Sequence, residues 1–94
     1  MRLTQKEIKV LKDSLYQMSS SAKLYLFGSR VDDTKRGGDI DLLIISKDIT
    51  KKHLRKIRVE FFKYFGEQKL DIVLDDGSLQ DPFVSMIYKK AIEL

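Results

Sequence analysis

Ninety-four residues, 43% hydrophobic and 34% charged, describe one globular domain near the lower size limit for a self-supporting core, and the chain is too apolar to stay disordered. The absence of Cys excludes disulfides and thiolate chemistry. A single His, His53, excludes a multi-histidine zinc site and any Ser-His-Asp triad built without it.

MRLTQKEIKV at the start has no apolar signal region, and no stretch approaches the roughly 18 apolar residues of a membrane span. A cytoplasmic domain occupying residues 1–94 is therefore expected, away from membranes. The net charge of +4 is unevenly placed. Between Lys47 and Lys63 seven basic residues face two acids, which makes that segment +5 and the remainder −1. No aromatic groups interleave these charges on the exposed side, so there is no stacking platform and nucleic acid is not the expected partner. The charges read as the solvated side of an amphipathic helix.

Ile8, Leu11, Leu15 and Met18 recur at helical spacing behind Thr4, an N-cap whose capping box Glu7 completes, so a helix is expected over about 4–18. SSSA (19–22) reads as a loop and KLYLF (23–27) as a strand ending at Gly28. A glycine- and charge-rich segment (28–38) opens with what reads as a short turn or helix. DIDLLIIS (39–46) is too apolar and β-branched for an exposed loop and forms a second strand. Thr50 caps a helix carrying Leu54, Ile57, Phe61 and Phe65 until Gly66 stops it. Here Phe61, Phe62 and Phe65 read as core and His53 as a surface residue. LDIVLD (70–75) is a third strand. Asp81-Pro82 starts a helix bearing Val84, Ile87 and Tyr88, and AIEL can close with a short strand. The expected fold is α+β, a small mixed sheet with helices packed on one face.

Side chains alternate across a strand, so Asp39 and Asp41 share a face, roughly 6.6 Å apart along the backbone, while Ile40, Leu42 and Ile44 take the other. In the third strand Leu70, Ile72 and Leu74 put Asp71 on the opposite face. If the two strands are neighbours, three aspartates converge. Such a cluster needs a counter-charge, and all-oxygen ligands select a hard ion, Mg²⁺ or Mn²⁺. A pair of metals roughly 3.5–4 Å apart would serve in-line phosphoryl chemistry. The residues alone also admit solvent-facing acids paired with Lys or Arg, because Asp-x-Asp occurs often by chance.

Gly28-Ser29-Arg30 follows an apolar strand directly. Glycine lets a backbone approach an anion, Ser supplies a hydroxyl, and Arg adds a fixed charge suited to phosphate. By itself this corner also fits a tight turn. There is no GxxxxGK[ST] and no GxGxxG. An EF-hand loop fails because its fifth and sixth positions would be Leu43 and Ile44. A phosphatase-type motif fails because TKRGG, ahead of Asp39, is no apolar strand.

Together, LFGSRVDDTKRGGDIDLLI (26–44) and Leu70-Asp71-Ile72 resemble the nucleotidyltransferase superfamily that includes DNA polymerase β, and most closely its minimal nucleotidyltransferase (MNT) members. The likeness extends over nearly the whole chain, with Gly38 standing where many relatives carry Ser or Thr and Ala91 where a late Gly is usual. It implies that Gly28 and Ser29 hold the β- and γ-phosphates of a nucleoside triphosphate. Asp39 and Asp41 would bind two Mg²⁺, and Asp71 would complete the second metal site and accept a proton. The implied reaction moves a nucleoside monophosphate, AMP from ATP, to a hydroxyl and releases pyrophosphate.

Larger relatives carry domains that hold the acceptor, for which 94 residues leave no room. Tyr25, Phe27, Leu43, Ile45 and Val73 share the acidic face and need a cover. The chain's own C-terminal segment, a partner or a second copy would serve. MNT proteins are often encoded with a HEPN-type toxin that they silence by AMP transfer or by binding. The resemblance therefore implies an antitoxin whose acceptor is a toxin hydroxyl, with the basic helix 51–65 as a docking surface. Two other readings remain at this point: a non-catalytic binding antitoxin, and a transferase for a small molecule or an RNA 3′ end.

Overall fold

Side-chain caps set where the helices begin. In the computed structural model, which describes residues 2–32 and 38–94, the first helix, α1 (Gln5–Met18), is closed by Thr4. The Glu7 N–H donates to Thr4 Oγ1 at 3.1 Å and the Thr4 N–H to Glu7 Oε1 at 2.9 Å. The second, α2 (Lys51–Phe65), uses His53 in the same way: the Thr50 N–H donates to His53 Nδ1 at 2.9 Å. His53 is thus a capping group, at the position where a capping box more commonly has Glu or Gln. Gly66 ends α2 with φ 76, a conformation open to glycine at little cost. The third helix, α3 (Pro82–Tyr88), starts at Asp81, whose carboxylate accepts the Phe83 N–H at 2.9 Å.

Four strands form one sheet: β1 (Lys23–Phe27), β2 (Ile40–Ile45), β3 (Leu70–Asp75) and β4 (Ile92–Glu93), in spatial order β3-β2-β1-β4. β1 is antiparallel to both β2 and β4, while β2 and β3 run parallel with α2 as the crossover. A 3₁₀ turn, Gly28–Val31, follows β1 directly. Residues 33–37, the middle of the glycine- and charge-rich segment, lie outside the described residues.

The two faces differ in chemistry. On one, Leu11 and Leu15 of α1 and Leu54, Ile57 and Phe61 of α2 bury Leu24, Leu26, Ile40, Leu42, Ile44 and Leu70. Phe61 is fully buried, its ring centroid 4.8 Å from that of Phe65. The arrangement with every helix on this face holds for α1 and α2 only. α3 crosses to the other face, where Val84 and Ile87 cover Tyr25 and Leu43, and Phe27, Ile45 and Val73 pack around them. Burial pushes the Tyr25 hydroxyl pKa up to about 12, with a side-chain hydrogen bond to Tyr88 adding to it, and the two rings meet edge-on with centroids 5.3 Å apart. The apolar groups that share a face with the acids are therefore covered by the chain's own C-terminal segment. Leaving them wet would forfeit roughly 25 cal/mol per Å² of apolar area.

Among the described residues no helix is long and apolar enough to cross a membrane. Phe61→Ala should lower unfolding free energy by about 3–5 kcal/mol in urea titration. Tyr64→Ala, at a residue that is 67% exposed, should change it by less than about 0.5 kcal/mol.

Candidate active site

The register of the parallel pair brings acids together. Asp41 on β2 lies directly beside Asp71 on β3, and on its other side it faces Phe27, the last residue of β1. One step outside the sheet Asp39 precedes β2 and Lys69 precedes β3, tied by the Ile40 N–H donating to the Lys69 carbonyl at 3.0 Å. Lys69 Nζ stands 3.5 Å from Asp39 Oδ2 and 3.9 Å from Asp71 Oδ2. Asp39, Asp41 and Asp71 thus gather at one rim of the sheet, with Lys69 as their counter-charge. Nothing in the sequence motif marked Lys69, although its place two residues before Asp71 repeats that of Asp39 before Asp41.

Asp41 is the strained member. Its carboxyl is held above the ordinary carboxylate value of 3.8, first by burial and then by the negative charges of Asp71 and Asp39, with Lys69 opposing. Gly28 packs against it with φ +79, and a Cβ built there would run into the Asp41 carboxylate, meeting its Cγ at 3.0 Å. Glycine is required here twice over, for the backbone angle and for the contact. The Gly-Ser corner and the acids are one site.

Beyond the corner lies a cavity of about 450 Å³ lined by Gly28, Ser29, Val31, Asp32 and Lys90. Arg30, expected to face phosphate, is not part of that lining. Its guanidinium donates to the carbonyls of Arg2 at 2.7 Å and Gly38 at 3.2 Å. It acts as a brace between the segment ahead of α1 and the residue just before Asp39. The planar fork that suits Arg to phosphate suits it equally to two diverging carbonyls.

A second set of acids, Asp75, Asp76 and Asp81, lines a cavity of about 420 Å³ that also includes Ser46 and Lys47. These carboxylates are occupied by main chain. Asp75 accepts the N–H groups of Gly77 at 2.8 Å and Leu79 at 3.2 Å, and Asp76 accepts that of Ser78 at 2.9 Å. The bond from Ser78 holds the Asp76 carboxyl below its usual value. They shape the loop into α3. Among the described residues Asp39, Asp41 and Asp71 cap no main-chain N–H, so their charge is not spent on the fold.

As the side chains stand, no three His, Asp or Glu groups among the described residues form a ready metal-ligand set. The donor chemistry nevertheless fits a hard divalent cation. All three groups are carboxylates, and the repulsion from Asp71 and Asp39 that adds to burial in lifting Asp41 is the kind a bound cation relieves.

A mixed sheet backed by two helices on one face, with a strand-Gly-Ser corner against paired acids on the other, defines an α+β domain of nucleotidyltransferase type. A family model described as a nucleotidyltransferase domain, covering the polymerase β-like superfamily, matches residues 8–93, and the chain belongs to that family. Its general activity class is nucleotidyl transfer. No curated protein matches the chain.

Two measurements check the geometry. Gly28→Ala should cost about 2 kcal/mol or more in unfolding free energy, from the left-handed backbone and the collision combined. In an Asp41→Ala background the cost should fall to about 1 kcal/mol, the backbone share alone. Because the native state raises the pKa of Asp41, its ionised form penalises folding at neutral pH, and the penalty disappears as pH falls through the native value. Asp41→Asn should therefore melt higher than wild type at pH 7, with the advantage gone below the ordinary carboxylate range.

Proposed function

We propose that this chain is a Mg²⁺-dependent nucleotidyltransferase that moves AMP from ATP to a hydroxyl on a partner protein, a HEPN-type toxin, and so acts as its antitoxin. The observation that carries the reading is the in-register pair Asp41–Asp71, with Asp39 beside it and Gly28 packed against the Asp41 carboxylate. Asp39, Asp41 and Asp71 would hold the ions, displacing the Lys69 ammonium from between them. Bound there, Mg²⁺ supplies neutralisation of the phosphate and attacking oxygens.

The chain's own groups do the rest. The main-chain N–H groups and hydroxyl at Gly28 and Ser29 receive the β- and γ-phosphates. Asp71, at the outer edge of the pair, accepts the proton of the acceptor hydroxyl. The acceptor oxygen bonds to the α-phosphorus, the bond to the bridging oxygen breaks, and pyrophosphate leaves with the electron pair. Positioning and charge neutralisation suffice for such a transfer, so no covalent protein nucleophile is needed.

A macromolecular acceptor is supported by the openness of the rim, where the side chains of Asp39 and Asp71 are each 48% exposed. The exposed Lys51, Lys52, Arg55 and Lys56 on α2 offer an acidic partner a docking surface. Arg58 is not part of it, since its Nε donates to the Leu70 carbonyl at 3.1 Å. The seat of Lys69 between Asp39 and Asp71 favours a second reading, in which an already neutralised site binds the partner without turnover.

Incubation with ATP labelled at the α-phosphate, Mg²⁺ and the HEPN-type partner should label the partner. Asp39→Asn with Asp41→Asn should reduce labelling by on the order of a thousandfold. Equal labelling by the double variant would overturn the catalytic assignment. Toxin neutralisation that survives in the double variant would support the second reading.

A further inference from the structure

We infer that Lys90 is the cation that receives the distal phosphates of the nucleotide, on the opposite side of the Gly-Ser corner from the acids; the inference rests on the nucleotidyl-transfer reading above. The topology sets it there. β4 pairs with β1 so that Leu26 lies opposite Ile92 and Tyr25 opposite Glu93. Continuing that antiparallel register two residues outward places Ala91 beside Phe27 and Lys90 beside Gly28. On the other edge of β1, Phe27 faces Asp41. The corner therefore has carboxylates on one side and an ammonium on the other.

The approach of the chain fixes Lys90 in this place. Its N–H donates to the Ile87 carbonyl at 3.2 Å and the Ala91 N–H to that of Tyr88 at 3.3 Å, so the turn out of α3 is closed before β4 begins. Lys90 then lines the 450 Å³ cavity together with Gly28 and Ser29. Among the described residues Lys90 makes no ion pair. Asp32 lies in the same lining, and its negative charge disfavours phosphate. Among the described residues Lys90 is the only cationic one in that lining, and its charge favours a polyphosphate tail there.

Arg30, the residue whose type best suits phosphate, is engaged with the carbonyls of Arg2 and Gly38. A triphosphate laid across Gly28 and Ser29 would run from the acids at its α-phosphate toward Lys90 at its β- and γ-phosphates. Lysine acts there as a point charge, tolerant of the exact angle of the tail. On transfer, the same charge would face the departing pyrophosphate. A nucleoside monophosphate lacks the β- and γ-phosphates that Lys90 would receive, so Lys90 would separate triphosphate from monophosphate.

Titration calorimetry in Mg²⁺ with ATP, AMP and inorganic tripolyphosphate tests this on the full chain. Lys90→Ala should weaken ATP and tripolyphosphate roughly tenfold and leave AMP unchanged, the loss of one charge-assisted contact at an open site. Lys90→Arg should retain binding of all three. Lys47→Ala, an exposed lysine beyond the other end of β2, should bind as wild type. ATP binding unchanged in Lys90→Ala, or an equal loss for AMP or in Lys47→Ala, would overturn the role of Lys90 alone. Wild-type protein that binds neither ATP nor tripolyphosphate would overturn both this inference and the nucleotidyl-transfer reading.

Discussion

Parallel pairing of β2 with β3 governs where charge gathers in this molecule. One register places Asp41 beside Asp71 and Asp39 beside Lys69, so three carboxylates and one ammonium crowd a single rim. A shift of one residue would turn Asp71 into the core and Ile72 out of it, which the apolar contacts of Leu70, Ile72 and Leu74 forbid. The register is thus enforced by hydrophobic burial on one face, and the charge cluster on the other is its consequence. Burial first, and then the charges of Asp71 and Asp39, hold the Asp41 carboxyl above its ordinary value, so its ionised form works against folding. Local conflicts of this kind are expected at functional sites.

The division of labour between the faces follows from the same logic. α1 and α2 seal one side with aliphatic groups and Phe61, leaving the second side to a short helix that covers only its apolar part. α3 seats Val84 and Ile87 over Tyr25 and Leu43. The turn that ends α3 then returns the chain along β1, and that return brings Lys90 to the Gly-Ser corner. A single C-terminal segment therefore hides the apolar centre, closes the sheet edge and lines the cavity beside the site.

Local patterns made much of this legible. Spacing of Ile8, Leu11 and Leu15, and of Leu54, Ile57 and Phe61, marked both long helices, because a helix one turn deep in a core must repeat every three to four residues. Thr4 with Glu7, Gly66, and Asp81 with Pro82 marked their ends. Alternation in DIDLL and LDIVL placed Asp39, Asp41 and Asp71 on one face once the strands were assumed adjacent. Less legible were the groups whose roles depend on distant partners. Arg30 carries the side chain a phosphate site calls for, yet it bridges carbonyls at Arg2 and Gly38, residues twenty-eight and eight positions away. Lys69 and Lys90 gain their places only from strand register. The face chosen by α3 depends on the loop that Asp75 and Asp76 cap, which no periodicity records. His53 could have been read as a cap from its position three residues after Thr50.

The central claim is that the acids at the rim, and not those in the α3 loop, receive a divalent cation together with a triphosphate. Paramagnetic broadening of backbone amide signals by Mn²⁺ in the presence of ATP locates such an ion directly. The account predicts that substoichiometric Mn²⁺ erases the signals of Gly28, Ser29, Asp39, Asp41 and Asp71 first, and that Asp39→Asn with Asp41→Asn abolishes the effect. Broadening centred on Asp75, Asp76 and Asp81, with the rim signals intact, would contradict it.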